Sequence, residues 1–208
     1  MKYLLLLASI IITPTSWAAT TNASSAILHV YGAYLAESGD CSNPIKFVDN
    51  SGSAQSFDMV TTPTLGQGTV PAKTYNCLII EMTDRVDFVP TTTTGNCTAG
   101  TSYTRYVCQA GSSSTNPTTG AVTACTGTSQ TGEDHVFIYI STWATNPNGT
   151  NAFSPPTYNG DATNGINLAT PIDASKGGGA FIFNTTGKVD GGQNPCDLNV
   201  PIFSFRSL

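Results

Sequence analysis

Two histidines, His29 and His135, are the side chains of this 208-residue chain best suited to carry a proton near neutral pH. Each lies in or at the start of a β-branched, aromatic run, where an imidazole is expected to serve as a hydrogen-bonded structural group. A serine triad would need one of them beside a serine on a sharp strand-to-helix turn, and no G-x-S-x-G occurs. Glu133-Asp134-His135 sets carboxylates beside an imidazole, which raises its basicity and suits metal ligation. Strand alternation lets only Glu133 and His135 of that triplet share a side. Thirteen Asp and Glu are too many for any one pair to point to glycoside hydrolysis. Asp84 and Asp87, flanking Arg85, read as a solvated turn. No residue is assigned a catalytic role, and the chain is expected not to be an enzyme.

Two other groups of residues suit binding. Asn159, Asp161 and Thr163 offer oxygens at alternate positions, as a calcium loop does around a hard cation. The closing glutamate of such a loop is absent and Gly165 falls one position late, so a plain Asx-rich loop competes with this reading. Calcium is the one cofactor the residues suggest. Asp190, Asn194 and Asp197 form a similar polar group around Cys196. Trp143, Phe153 and Tyr158 stand in a polar, turn-rich stretch, where flat apolar faces beside Asn and Asp suit a sugar ring. The competing reading is a small structural cluster beneath a long loop. Asn22, Asn96, Asn148 and Asn184 begin N-x-S/T sequences, which a chain about a quarter Ser and Thr contains by chance.

The six cysteines, Cys41, Cys77, Cys97, Cys108, Cys125 and Cys196, are even in number and lack any C-x-x-C, so three disulfides are expected rather than a metal site. Loop length favours Cys108–Cys125, a closure that stabilises by roughly 3 kcal/mol in the chain-entropy model. Cys77 sits within a strand-like run and is expected to bridge neighbouring strands or sheets. The remaining connectivity is open.

The elements that must position these groups are strands. Residues 27–35, 73–82, 103–108, 135–142, 180–184 and 198–205 are rich in β-branched and aromatic side chains and are separated by Gly, Asn and Asp turns. Many short strands with such turns predict an all-β sandwich or barrel. Residues 91–132 and 143–178 read as two long insertions into this framework. Lys2, the apolar run Leu4 to Ile12 and the small-residue ending Ser16-Trp17-Ala18 read as a signal peptide over 1–18, cut after Ala18. The expected product is one secreted domain over 19–208, in the periplasm, at the cell surface or outside the cell. No later run is long enough to span a membrane. Charged residues make up 10% of the chain, against roughly 25% in ordinary soluble domains, and eight Lys plus Arg leave no basic stripe for nucleic acid.

The stretch Gly68-Thr69-Val70-Pro71-Ala72-Lys73-Thr74-Tyr75, followed by Asn76 to Met82, resembles the P-A-G-x-Y turn-into-strand of transthyretin-like or prealbumin-like modules in exported bacterial surface proteins. Lys73 stands where glycine is usual, and the likeness covers about residues 26–90. It implies a Greek-key β-sandwich acting as a surface or adhesion module, with no catalytic residues to transfer. The expected function is therefore a non-enzymatic binding or adhesion module for a surface glycan or protein. A structural subunit of a bacterial surface layer or appendage and a secreted hydrolase are the alternatives. The oligomeric state is open.

Overall fold

The structure, a computed structural model, describes residues 19–61, 68–127, 133–145, 151–157, 164–176 and 179–207. The expected signal peptide over 1–18 and the candidate residues Tyr158, Asn159, Asp161 and Thr163 lie outside the described residues.

In chain order the strands are β1 (Thr20–Thr21), β2 (Ala23–Ala36), β3 (Ile45–Asp49), β4 (Gln55–Asp58), β5 (Thr74–Tyr75), β6 (Cys77–Pro90), β7 (Tyr103–Tyr106) and β8 (Ser113–Thr115). They continue with β9 (Val122–Ala124), β10 (His135–Ser141), β11 (Ile166–Asn167), β12 (Ile172–Asp173), β13 (Gly179–Asn184), β14 (Val189–Asp190), β15 (Asp197–Leu198) and β16 (Ile202–Ser207). One 3₁₀ turn at Ala174–Lys176 is the only helical element among the described residues. The protein is all-β.

The long antiparallel pair β2–β6 forms the spine of a seven-stranded sheet ordered β11-β10-β6-β2-β3. The two ends of the spine have different neighbours. Along β6, the stretch from Cys77 to Thr83 pairs with β10, whereas Arg85 to Phe88 pairs with β7. Along β2, Ile27 to Val30 pairs with β4 and Gly32 to Leu35 with β3. Both segments read as insertions thus supply strands to the main sheet, β7 from the first and β11 from the second.

Period-two alternation decides which side chains are buried. Ala26, Leu28 and Val30 of β2, Leu78, Ile80 and Met82 of β6, and Val136, Ile138 and Ile140 of β10 form the inner face. Against it pack Phe181 and Phe183 of β13 and Phe203 of β16, the last meeting Phe183 edge-on at 5.3 Å. A bulge between Val30 and Gly32 reverses the phase of β2, so that Ala33 and Leu35 face this core and Tyr34 and Ala36 face the opposite side. On β6 the residues between Met82 and Val86 are looped out, because Val30 and Leu28 oppose those two positions. Two extra residues preserve the phase, and Val86 and Phe88 return to the core.

This irregularity corrects the reading of Asp84 and Asp87 as a solvated turn. Both lie within β6, with Asp84 fully buried and Asp87 9% exposed. The polar triplet Thr83-Asp84-Arg85 resembles a turn, but its backbone is held by neighbouring chain: Asp84 N–H donates to Asp134 O, and Asp84 O accepts Val107 N–H.

The disulfides are Cys41–Cys77, Cys97–Cys196 and Cys108–Cys125, so the favoured pair is formed and Cys77 bridges to the turn after its neighbour β2. No cysteine is free. Cys97–Cys196 spans 99 residues and ties the C-terminal strands to the β6–β7 connection. A closure of that length is worth about 5 kcal/mol in the chain-entropy model.

Candidate functional site

The outer face of the spine carries the titratable groups. His29 and Tyr31 of β2, Glu81 and Asp87 of β6, and His135 and Phe137 of β10 project from the positions that alternate with the core residues. Because β2 pairs with β6 and β6 with β10, side chains far apart in the chain come into contact, as Tyr31 does with His135.

Glu81 is the centre of one network. One of its oxygens accepts from His135 Nε2 at 3.0 Å. The other accepts from the Tyr34 hydroxyl at 2.8 Å and lies 3.3 Å from Lys46 Nζ. Burial alone would push its carboxyl up, but the donors from His135, Tyr34 and Lys46 outweigh it and hold Glu81 at about 2. Burial and the neighbouring Glu81 carboxylate push the Tyr34 phenol up to about 12. His135 stacks on Tyr31 with ring centroids 4.4 Å apart and on Phe137 at 5.5 Å, which makes a row of three rings.

A second network centres on Asp87. It accepts from His29 Nε2 at 3.0 Å, from Arg85 Nε at 3.1 Å and from the Thr104 hydroxyl at 2.5 Å. Burial raises the Asp87 carboxyl, and these donors bring it below the usual range. His29 directs Nε2 at Asp87, and its Nδ1 lies 3.0 Å from the Ser56 hydroxyl. Three adjacent strands therefore align Ser56, His29 and Asp87. Sequence spacing gave no sign of this, since only cross-strand register brings Ser56 opposite His29.

Beside the Glu81 network the β8–β9 hairpin rises over β10. Ser114 Oγ accepts the Phe137 N–H at 2.8 Å, and the Tyr139 hydroxyl donates to Thr115 O at 2.7 Å. Burial pushes the Tyr139 phenol up. Between hairpin and sheet lies a cleft of about 250 Å³, lined by Glu81, Ser114, Asn116, Asp134, His135 and Phe137 among others. Its Cys108–Cys125 edge brings two sulfurs near the Asp134 carboxylate. Those sulfurs are oxidised and offer no thiolate to a soft metal.

Of the aromatic residues singled out in the sequence, Trp143 and Phe153 are described and have different surroundings. Trp143 follows β10, is half-buried, and lays its indole against Gly39, which leaves no room for a Cβ there. Its backbone N–H donates to Ser141 Oγ. Phe153 is 7% exposed and belongs to the main core. It lines an apolar cavity of about 250 Å³ with Leu28, Ile80, Ile138, Ile166 and Phe203. In the group around Cys196, Asp190 accepts the Gly192 N–H at 2.8 Å and Asp197 pairs with Arg105 at 2.8 Å, so both serve internal contacts. Glu133 pairs with Arg85 at 3.3 Å while His135 turns to Glu81.

The fold and cleft define an all-β, disulfide-bonded protein with a polar aromatic groove. Against family models, curated proteins and solved structures alike, the chain finds no match. Three disulfides with no free thiol fit an oxidising, extracellular-type compartment. Among the described residues no helix is long and apolar enough to cross a membrane.

Proposed function

We propose that this chain is an exported, non-enzymatic binding module of cell surfaces, a Greek-key β-sandwich of the transthyretin-like kind, with a carbohydrate as its ligand. The observation that carries this reading is the cleft between β10 and the β8–β9 hairpin, which combines ring faces with fixed polar groups. His135 and Phe137 bring ring surface into the cleft for the C–H patches of a pyranose, and Tyr31, stacked on His135, holds that ring in place. Glu81, Ser114 and Asn116 supply acceptors and donors for its hydroxyls. Glu81 is already ionised and held by three donors, so the groove is pre-organised rather than assembled on binding. This cleft is preferred to a surface formed by Trp143, Phe153 and Tyr158, because Phe153 is buried in the core.

The test is a glycan array on the secreted, disulfide-intact protein, followed by calorimetry on any glycan retained. His135→Ala and Tyr31→Ala are expected to weaken binding about tenfold each, the equivalent of roughly 1.4 kcal/mol. Absence of glycan binding, or binding indifferent to both substitutions, overturns the carbohydrate reading.

A second reading, a secreted hydrolase, draws on the Ser56–His29–Asp87 alignment. Asp87 orients the imidazole and Ser56 meets its free nitrogen, as nucleophile activation requires. Acyl transfer also needs convergent N–H donors for the oxyanion, which a serine on a sharp turn supplies and a serine within a regular strand does not. Ser56 lies within β4. Covalent labelling of Ser56 by a fluorophosphonate, abolished in His29→Ala, is the result that favours the hydrolase over the binding module.

A further inference from the structure

The looped-out residues of β6 place a carboxylate where the fold supplies it with only half of its partners. Asp84 is fully buried. Its Oδ1 accepts the Asp134 N–H at 2.8 Å, whereas among the described residues its Oδ2 is buried without a hydrogen-bond partner. Leaving a buried acceptor unsatisfied is costly, and more so when it is charged.

What lies in front of that oxygen is specific. Gly127 is buried at the end of the Cys108–Cys125 ring. A Cβ on Gly127 would stand 2.9 Å from Cys108 O, 3.6 Å from Asp134 Oδ2 and 3.7 Å from Asp84 Oδ2. Three oxygens from three separate segments thus converge beside Gly127, and a side chain there would crowd the Cys108 carbonyl. Asp134 is fixed in this position by the N–H groups of Thr126 and Gly127, at 2.9 and 3.1 Å, and by the Thr126 hydroxyl at 2.7 Å. The nearest arginine along the strand, Arg85, is engaged with Asp87 and Glu133.

Two carboxylates and a carbonyl make an all-oxygen donor set with two negative charges. That is the chemistry of a hard divalent cation, and calcium accepts such irregular geometry where magnesium demands an octahedron.

We propose that Asp84, Asp134 and the Cys108 carbonyl bind a calcium ion in the space beside Gly127. The ion joins the irregular stretch of β6 to the start of β10 and to the disulfide-closed hairpin. Asp134 also lines the polar cleft, so the cation braces one wall of that groove. The site uses none of Asn159, Asp161 and Thr163 and does not depend on the carbohydrate reading.

The experiment uses the full secreted chain, stripped with EDTA and titrated with CaCl₂ by calorimetry and with Tb³⁺ by luminescence. One saturable site is expected, with Kd on the order of 10⁻⁴–10⁻³ M as in extracellular calcium modules. The melting temperature is expected to rise with CaCl₂ concentration and to fall back on adding EDTA. Asp84→Asn keeps the shape but removes a charge, and Gly127→Ala fills the space with a methyl. Each is expected to weaken Ca²⁺ binding by about tenfold or more. Absence of saturable Ca²⁺ or Tb³⁺ binding by the wild-type chain overturns the proposal, whether or not the variants fold. So does an equal response to MgCl₂, or binding that survives Asp84→Asn and is lost in Asp161→Asn.

Discussion

The two faces of the β2–β6–β10 sheet are built from alternate residues of the same strands, yet they are held by different physics. On the inner face Leu28, Val30, Ile80, Met82, Ile138 and Ile140 meet the phenylalanines of β13 and β16. This contact is non-directional and roughly proportional to buried area, so related side chains of similar volume substitute readily. On the outer face His29, Glu81, Asp87 and His135 each make directed bonds to named partners. The worth of each such group depends on the others being present, and removing one leaves its partners unsatisfied. Stability is spread across the inner face, whereas the outer face concentrates chemistry at a few atoms.

The inner face should give the largest effect. Phe88 is fully buried and stacks on Tyr103 at 5.8 Å, and Phe88→Ala is expected to cost about 4 kcal/mol in urea denaturation. A Phe88→Leu loss as large as that would break the contrast, since near-volume swaps on this face should cost less than about 1.5 kcal/mol.

Glu81 comes next and tests the outer face by pH. Its folded value of about 2 lies below the ordinary 4.5, so the stability it contributes is complete above pH 4.5 and is lost as pH falls toward 2. The loss is on the order of 3 kcal/mol. Denaturation midpoints across this window should slope for the wild type and flatten in Glu81→Gln. Equal slopes in both would mean that the His135, Tyr34 and Lys46 contacts contribute nothing net.

His29→Ala leaves Asp87 with Arg85 and Thr104 but without its imidazole, and an expected cost of about 1–2 kcal/mol separates it from a surface substitution. Ser56→Ala is the smallest change, about 0.5 kcal/mol or less, because Ser56 is exposed and water replaces its bond. A Ser56→Ala loss as large as that of His29→Ala would show the Ser56–His29–Asp87 relay to be one cooperative unit.

Fold class was readable because its signal is local. Alternation of β-branched and aromatic residues marked the β2, β6, β7, β10, β13 and β16 regions, and ring size marked Cys108–Cys125. β3 and β4 carried too little such signal: Lys46 and Asp49, Gln55 and Asp58 make them look like loop. Their pairing with β2 creates the Lys46–Glu81 and Ser56–His29 contacts.

By itself the sequence determined an all-β, disulfide-bonded chain with few charges, since composition, period-two patterning and cysteine number act at short range. Tertiary structure alone decided that Asp84 and Asp87 lie inside a strand, that Phe153 enters the core while Trp143 rests on Gly39, and that Glu81 and His135 meet. Register and bulges control those outcomes, and a shift of one residue exchanges the two faces of a strand. The choice among registers is made by the whole core at once, which no local stretch of residues encodes.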